Sequence, residues 1–467
     1  MEGNILIQTT STLYEKLYRS IATIDSLHSS KLVSVTTELE EINPLAFYQA
    51  GSTFKGERFY WSSADRSFTL AGIGEAVKIE SDEEGFQITE EQWVDLINHA
   101  EIDNVTNASG TGPVAFGGFA FDPYKQSSVT WSEFPNSSTM VPRFLLTKSG
   151  TKYFITINAL LSPEDSTALF YQELVDQCTK LLGKEFKQNP EPQLIQQEEV
   201  APEEWKRIVK DTTEEIKAGK LGKVVLAREM IATFSSDINI ASLLNTLQEQ
   251  QHQSYVFAYE RGDSCFVGAT PERLVKLEDQ ELLSTCLAGT IARGKTVEED
   301  RYFGEQLLHD DKNLQEHEFV VNMIKTAVET CCHDVDVPEH PVLYPLRNLQ
   351  HLYTPVRGKL YNGYTILDVV KQLHPTPALG GYPIKESIEF IREKEPFHRG
   401  WYASPIGWFD ARDNGEFAVA IRSALISNNQ AVLFSGCGVV EDSHPQAEYE
   451  ETAIKFLPML HALGGYE

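Results

Sequence analysis

The sequence predicts an α+β protein built on large, mostly antiparallel sheets. Three observations carry this reading. Strand-like and helix-like patterns are mixed along the chain without the strict alternation of a doubly wound fold. Two apolar runs, YVFAYE and CFVGA, flank the turn Arg261-Gly262-Asp263 as a hairpin requires. Hydrophobic residues make up 41% of the 467 positions and aromatics 10%, which supports a sizeable core and excludes wholesale disorder.

Residues 1–185 read as an amino-terminal region in which short alternating runs, Lys55 to Tyr60 and Ala71 to Ile79, end in a helix near Leu169 to Leu182. Within it lies GTGPVAFGGFAFDP, from Gly110 to Pro123. Gly110 and Gly112 resemble the opening of a dinucleotide fingerprint, but the third glycine would fall at Ala115 and no helical period follows. A buried strand with close backbone packing is the better assignment. Residues 186–202 are rich in Gln, Glu and Pro and read as a linker. The remainder, 203–467, opens with a helix started by Pro202, carrying Trp205, Ile208, Val209 and Ile216 on one face and stopped at Gly219. A strand from Lys223 to Phe234 follows, then a helix from Ile240 to Glu249, the hairpin, and a strand pair running to Ala288. One long helical region is expected from Glu298 to Cys331, a β-rich stretch from Trp401 to Val440, and a terminal helix.

Charge narrows the function classes. Against 40 Lys and Arg stand 68 Asp and Glu, a formal net charge of −28 spread evenly over both halves. Such a chain is unsuited to nucleic acid or to an anionic membrane surface, whereas a small anionic substrate needs only a few local cations. The six cysteines, Cys178, Cys265, Cys286, Cys331, Cys332 and Cys437, show no C-x-x-C spacing and read as small buried residues. With no basic-then-apolar leader at the start and no run of ~18 apolar residues, a cytoplasmic protein is expected.

Several clusters could carry chemistry. Gly289 to Thr296 satisfies G-x-x-x-x-G-K-[ST], the phosphate-cradling loop of nucleotide binders. The strand before it belongs to a hairpin series, however, and the parallel βαβ setting that such a loop needs is missing. In Glu316-His317-Glu318 adjacent side chains diverge on a helix, so at most one points inward with Val320 and Met323. Glu448 and Glu451 share one face of the terminal helix with Lys455. They are either a solvated surface set or, with Glu316, carboxylates converging on a hard cation, Mg²⁺ by preference. Lys223 opens an apolar strand, and Arg422 sits inside AVAIRSA. Buried cations are costly unless paired, so each marks a nearby anion. Glu272 follows Thr270-Pro271 at a turn that presents an acid into a cleft.

Together these residues resemble the chorismate-utilising enzymes, the family of isochorismate, anthranilate, aminodeoxychorismate and salicylate synthases. The resemblance rests on KVVLAR at 223–228, FVGATPERL at 266–274, CLAGT at 286–290, Glu316-His317, LQHL at 349–352, LHPTPALGG at 373–381, RGWYASPIGW at 399–408, AIRSA at 420–424 and GCGVV…EYEET. FGGFAFDP at 116–123 extends it into the amino-terminal region and is similar to the long, menaquinone-type isochorismate synthases. It implies a single large two-sheet sandwich flanked by helices, with the amino-terminal region packed on the core. It also makes LAGT-x-x-RG a family motif that Lys295-Thr296 happens to follow.

The resemblance further implies the reaction. Lys223 stands where aminating relatives carry Gln, and Ala288 where the aminodeoxychorismate type carries a nucleophilic lysine, so water is the expected nucleophile and no glutaminase subunit is expected. Ala378 is similar to isochorismate synthases, where aminating and pyruvate-releasing members usually have Thr. Lys223 is implied as the base that activates water for attack on C2 of chorismate, and Glu272 as the acid that protonates the departing C4 hydroxyl. A lysine base must work from its neutral form and a glutamic acid from its protonated one. Glu316 and Glu451 are implied as Mg²⁺ ligands, with Glu448 behind them. Lys455 and Gly436 would assist at the ring carboxylate, Arg422 and Tyr402 would hold the enolpyruvyl carboxylate, and His351, Gly289 and Thr290 would line the pocket. One departure is visible: some relatives carry a carboxylate three residues before Glu316, and here that residue is Asn313. The same reaction feeding a catechol siderophore, or salicylate formation, are the alternatives.

Overall fold

The computed structural model describes residues 2–22, 30–83, 85–126, 128–163, 165, 167–345 and 349–465, with the backbone alone for residues 2–11 and 167. Among these residues 21 strands join into one hydrogen-bonded network, and every ladder except one short parallel pairing is antiparallel. The α+β, mostly antiparallel expectation holds.

The network is two layers. One runs from Lys223–Phe234 through Gln430–Val439, Ser423–Ser427, Ser264–Thr270, Tyr255–Arg261, Arg58–Ser62 and Phe68–Ser81 to Ser137–Ser149. There it forks. The later half of Ser137–Ser149 pairs with Lys152–Leu161, which leads to Lys31–Leu39. Its earlier half pairs with Val114–Phe119, which leads through Pro405–Asp410, Gly415–Val419, Arg273–Glu278 and Glu281–Ala292 to Leu349–Leu360. The two limbs face each other: Phe59 stacks on Phe116 at 4.6 Å and Phe68 on Trp408 at 4.9 Å. A second apolar core lies on the outer face of the first limb, under helices that bury Leu13, Leu17, Leu174, Leu244 and Leu460.

The FGGF run is the buried strand expected of it. A Cβ on Gly117 would collide with the Ser138 carbonyl oxygen, so only glycine lets these strands approach. Three elements differ from the sequence reading. Glu2–Ile21 is a helix where none was assigned. The helical region 298–331 is two helices, Val297–Leu308 and Asp311–Glu329, because Asp310 caps the second by accepting the Asn313 amide at 2.7 Å. Within residues 186–202, Leu194–Glu199 pairs with the strand Lys223–Phe234. All six cysteines are buried and unbridged, and no described helix is long and apolar enough to cross a membrane.

Candidate active site

Lys223 opens the strand Lys223–Phe234, and its neighbours hold it from both sides. Tyr382 lies opposite it in a short ladder, and the strand Gln430–Val439 runs along the other edge. The Lys223 side chain passes directly over Gly438, where a Cβ would stand 2.7 Å from Cε. A side chain at 438 would therefore displace the Lys223 ammonium end from this position. Lys223 Nζ donates to Glu316 Oε1 at 2.8 Å.

Glu316 can reach the lysine because its neighbour turns the other way. His317 is the inward member of the EHE trio, buried beside Val320, Val321 and Ile324, with Met323 only partly buried. Its two ring nitrogens meet the Ala288 carbonyl at 3.0 Å and Thr354 Oγ1 at 2.7 Å, and burial lowers its pKa. The imidazole thus pins the helix Asp311–Glu329 to the strands beneath and leaves Glu316 on the cleft side.

Those strands carry a bulge at Gly289. Glu281–Ala292 pairs in register with Leu349–Leu360 up to Ala288, slips by one residue, and resumes with Thr290 opposite His351. Gly289 takes φ +78°, the left-handed region that favours glycine. The slip brings Thr290 Oγ1 within 2.9 Å of His351 Nδ1, and burial lowers the imidazole's pKa. Asn313, the departure from the family pattern, accepts the Thr290 amide at 3.3 Å and packs on Gly289. The phosphate-loop match is filled from within the chain: Asp300 accepts the Gly294 amide and Glu299 the Lys295 amide, each at 2.9 Å.

The third group gathers around the strand Gln430–Val439. Lys455 Nζ donates to the Gly436 carbonyl at 2.9 Å and to Glu451 Oε1 at 2.6 Å. The Tyr402 hydroxyl lies against Gly436, its ring stacks on Phe434 at 5.4 Å, and burial pushes its phenol up to about 12. Burial lowers the pKa of the Arg422 guanidinium, and Arg422, at φ +52°, lies near Tyr402, Glu272 and Glu451, which act in the opposite direction. Burial pushes the Glu272 carboxyl up to about 7, with Arg422 pulling the other way. Glu448 accepts from Ser443 Oγ at 2.7 Å beside the buried Cys437. Ala378 sits partly exposed in the loop between Ile366–Leu373 and Gly381–Tyr382.

Arg422 thus lies near Glu272 and Glu451, while Lys223 is held by Glu316, and both Glu316 and Glu451 are half-exposed. No group of three His, Cys, Asp or Glu side chains among the described residues could hold a metal unaided. An all-oxygen pair of glutamates fits a hard cation that keeps water or substrate oxygens in its remaining positions, as Mg²⁺ does, and does not fit a closed thiolate or imidazole site.

Comparison with known proteins gives the chain's family. A family model described as chorismate binding enzyme matches residues 19–464. The chain is 41% identical over 455 residues to the isochorismate synthase MenF of Bacillus subtilis, covering 95% of this chain and 97% of that protein. It is 35% identical over 476 residues to the salicylate biosynthesis isochorismate synthase of Pseudomonas aeruginosa, covering 99% and 97%. The structure of MenF, the menaquinone-specific isochorismate synthase from Escherichia coli, superposes with a TM-score of 0.79 at 25% identity, covering 98% of this chain and all of that one. Anthranilate synthase component I from Streptococcus pneumoniae shares the fold, with a TM-score of 0.69 at 22% identity over 84% of this chain and 92% of that one. Matched by the family model over residues 19–464 and by relatives along nearly its whole length, this protein belongs to the chorismate-binding enzyme family.

Proposed function

We propose that the protein is an isochorismate synthase, converting chorismate to isochorismate by adding water at C2 and expelling the C4 hydroxyl. The observation that carries this is a buried acid and a strand-start lysine in the same set of residues: Glu272, whose carboxyl burial raises to about 7, and Lys223, which donates to Glu316 at 2.8 Å. The near full-length similarity to isochorismate synthases supports it.

In this reading Lys223 takes a proton from the attacking water as the new C–O bond forms at C2. The ring double bonds shift, the C4–O bond breaks, and Glu272 gives its proton to the departing hydroxyl, which leaves as water. One water enters and one leaves, so the reaction is an isomerisation and needs no ammonia-supplying subunit. Arg422 and Tyr402 hold the enolpyruvyl carboxylate, the arginine offering a planar fork of donors. Lys455 and the backbone at Gly436 face the ring carboxylate, while His351, Gly289, Thr290 and Ala378 shape the pocket wall. Glu316 and Glu451 would hold Mg²⁺, with Glu448 behind them. When bound there the ion neutralises the ring carboxylate. Similarity to two MenF proteins favours a role in supplying menaquinone formation.

The test is incubation with chorismate and Mg²⁺, resolving isochorismate, salicylate and pyruvate by chromatography. Isochorismate alone, lost on EDTA treatment and restored by Mg²⁺, is the expected result. Salicylate with equimolar pyruvate would reassign the protein within the family, and absence of turnover would defeat the proposal.

A further inference from the structure

The strand that carries Lys223 has no continuous neighbour on one edge. Gly381–Tyr382 covers its start and Leu194–Glu199 its far half, leaving Val225 to Glu229 between the two ladders. A buried ion pair fills that gap. Arg399 Nη2 donates to the Val225 carbonyl at 2.7 Å, and Glu395 Oε1 accepts the Ala227 amide at 2.7 Å. The two side chains thus make two of the hydrogen bonds that a missing strand would make, while the Gly380 carbonyl accepts the Val225 amide at 3.1 Å and the Trp205 indole donates to the Ala227 carbonyl at 2.8 Å. They are 3% and 4% exposed and locked to each other, Nε to Oε2 at 2.8 Å and Nη2 to Oε1 at 2.5 Å.

The same pair reaches two further segments. Arg399 Nη1 donates to the Leu379 carbonyl at 3.2 Å, fixing the loop that bears Ala378. Tyr402 lies in the same backbone turn as Arg399, its amide donating to the Arg399 carbonyl at 2.9 Å, so the anchored guanidinium holds the residue from which that turn starts. Phe121, from the amino-terminal FAFDP run, closes the other side with its ring 4.2 Å from the guanidinium. Lys125 Nζ completes the set by donating to the Glu395 carbonyl at 2.7 Å.

A pair placed for stability alone has no need to converge on three functional segments, and replacing a buried ion pair by neutral groups often costs little. We propose that Glu395 and Arg399 are positioning residues of the reaction: one clamp sets the mutual placement of Lys223, the Ala378 loop and Tyr402. Displacing reacting groups by about 1 Å can cost about a hundredfold in rate, so a loosened clamp lowers turnover in a protein that is still folded.

This inference rests on the isochorismate synthase reading, so chorismate turnover by the wild-type protein is measured first. A failure there removes the reading and not the clamp. The variants are Arg399→Lys, which keeps the charge but cannot span Val225, Leu379 and Glu395 together, and Glu395→Gln, which keeps an acceptor for the Ala227 amide. Arg58→Lys is the control. It disturbs the comparably buried Arg58–Glu260 pair, which joins strands away from the cleft. Each variant is assayed well below its own melting temperature, with kcat and KM separated. The expected result is a loss in kcat/KM of about tenfold to a hundredfold in the clamp variants, expressed in both parameters, against less than twofold in Arg58→Lys at a similar loss of melting temperature. If Arg399→Lys fails to fold, Glu395→Gln carries the comparison. Clamp variants within twofold of wild type, or activity that follows melting temperature alike in all three, would overturn the proposal.

Discussion

Glu272 must hold a proton near neutrality, which an ordinary glutamic acid has already lost. Burial supplies the difference by raising its pKa to about 7 against the opposing pull of Arg422. The acid form is lost as pH rises through 7, so kcat/KM should fall on an alkaline limb centred near that value, and Glu272→Gln should lower turnover at least a hundredfold at every pH. A flat profile from pH 6 to 9 would count against the assignment. The same shift bears on stability. The folded state binds this proton more tightly than the unfolded chain does, so the group's contribution is complete below about pH 4.5 and is lost as pH rises to 7. Thermal melts should therefore show Glu272→Gln gaining on wild type as pH goes from 5.5 to 8. Lys223 gives a separate prediction: Lys223→Ala should lose about 10²- to 10⁴-fold in kcat while still binding chorismate in a titration. At this scale the site was legible wherever a charged residue interrupts an apolar run, as Lys223 and Arg422 do. Gly438 was not, because its role is to leave room for the Lys223 side chain, and a glycine announces neither its neighbour nor the direction of approach.

Elements were legible where one face is apolar and the period is clean. The strand Lys223–Phe234 and the hairpin Tyr255–Thr270 follow the sequence pattern closely. Leu194–Glu199 was not, because its residues are mostly polar and half-exposed and its strand character comes from pairing with the neighbour. The break in the 298–331 helical region was hidden for a different reason. Apolar positions recur on both sides of it, and only the cap residue Asp310 marks the restart. That cap has a functional consequence, because Asp310 Oδ1 receives both the backbone and the side-chain amide of Asn313, whose own oxygen takes the Thr290 amide at the bulge. Asp310→Ala should lower the unfolding free energy by about 1 kcal/mol, read from urea titration. It should also raise the KM for chorismate several-fold by freeing the Thr290–His351 wall. An unchanged KM at reduced stability would separate the cap from the site.

Across the whole molecule, the sequence divides at a linker-like segment and the sheet does not. Arg58–Ser62 pairs with Tyr255–Arg261, Val114–Phe119 with Pro405–Asp410, and the segment 186–202 itself contributes a strand that pairs with the far half of Lys223–Phe234. The core between the layers draws Phe59, Trp61 and Phe116 from before the segment and Phe257, Phe417 and Trp408 from after it. Composition revealed the segment's polarity but not these pairings, since residues some 200 to 300 positions apart leave no local pattern. We therefore expect that residues 1–202 and 203–467 behave as one folding unit. Expressed alone, 203–467 would expose the unpaired edges of Tyr255–Arg261 and Pro405–Asp410 and half of an aromatic core, a surface that favours aggregation. It should be insoluble or inactive toward chorismate, and co-expression with 1–202 should recover part of the activity. In the intact chain, tryptophan fluorescence draws on Trp61, Trp93 and Trp131 on one side and Trp205, Trp401 and Trp408 on the other. Its urea transition should coincide with that of far-ultraviolet circular dichroism. Two separated transitions, or a soluble 203–467 fragment with full turnover, would show that the catalytic core stands without its amino-terminal half.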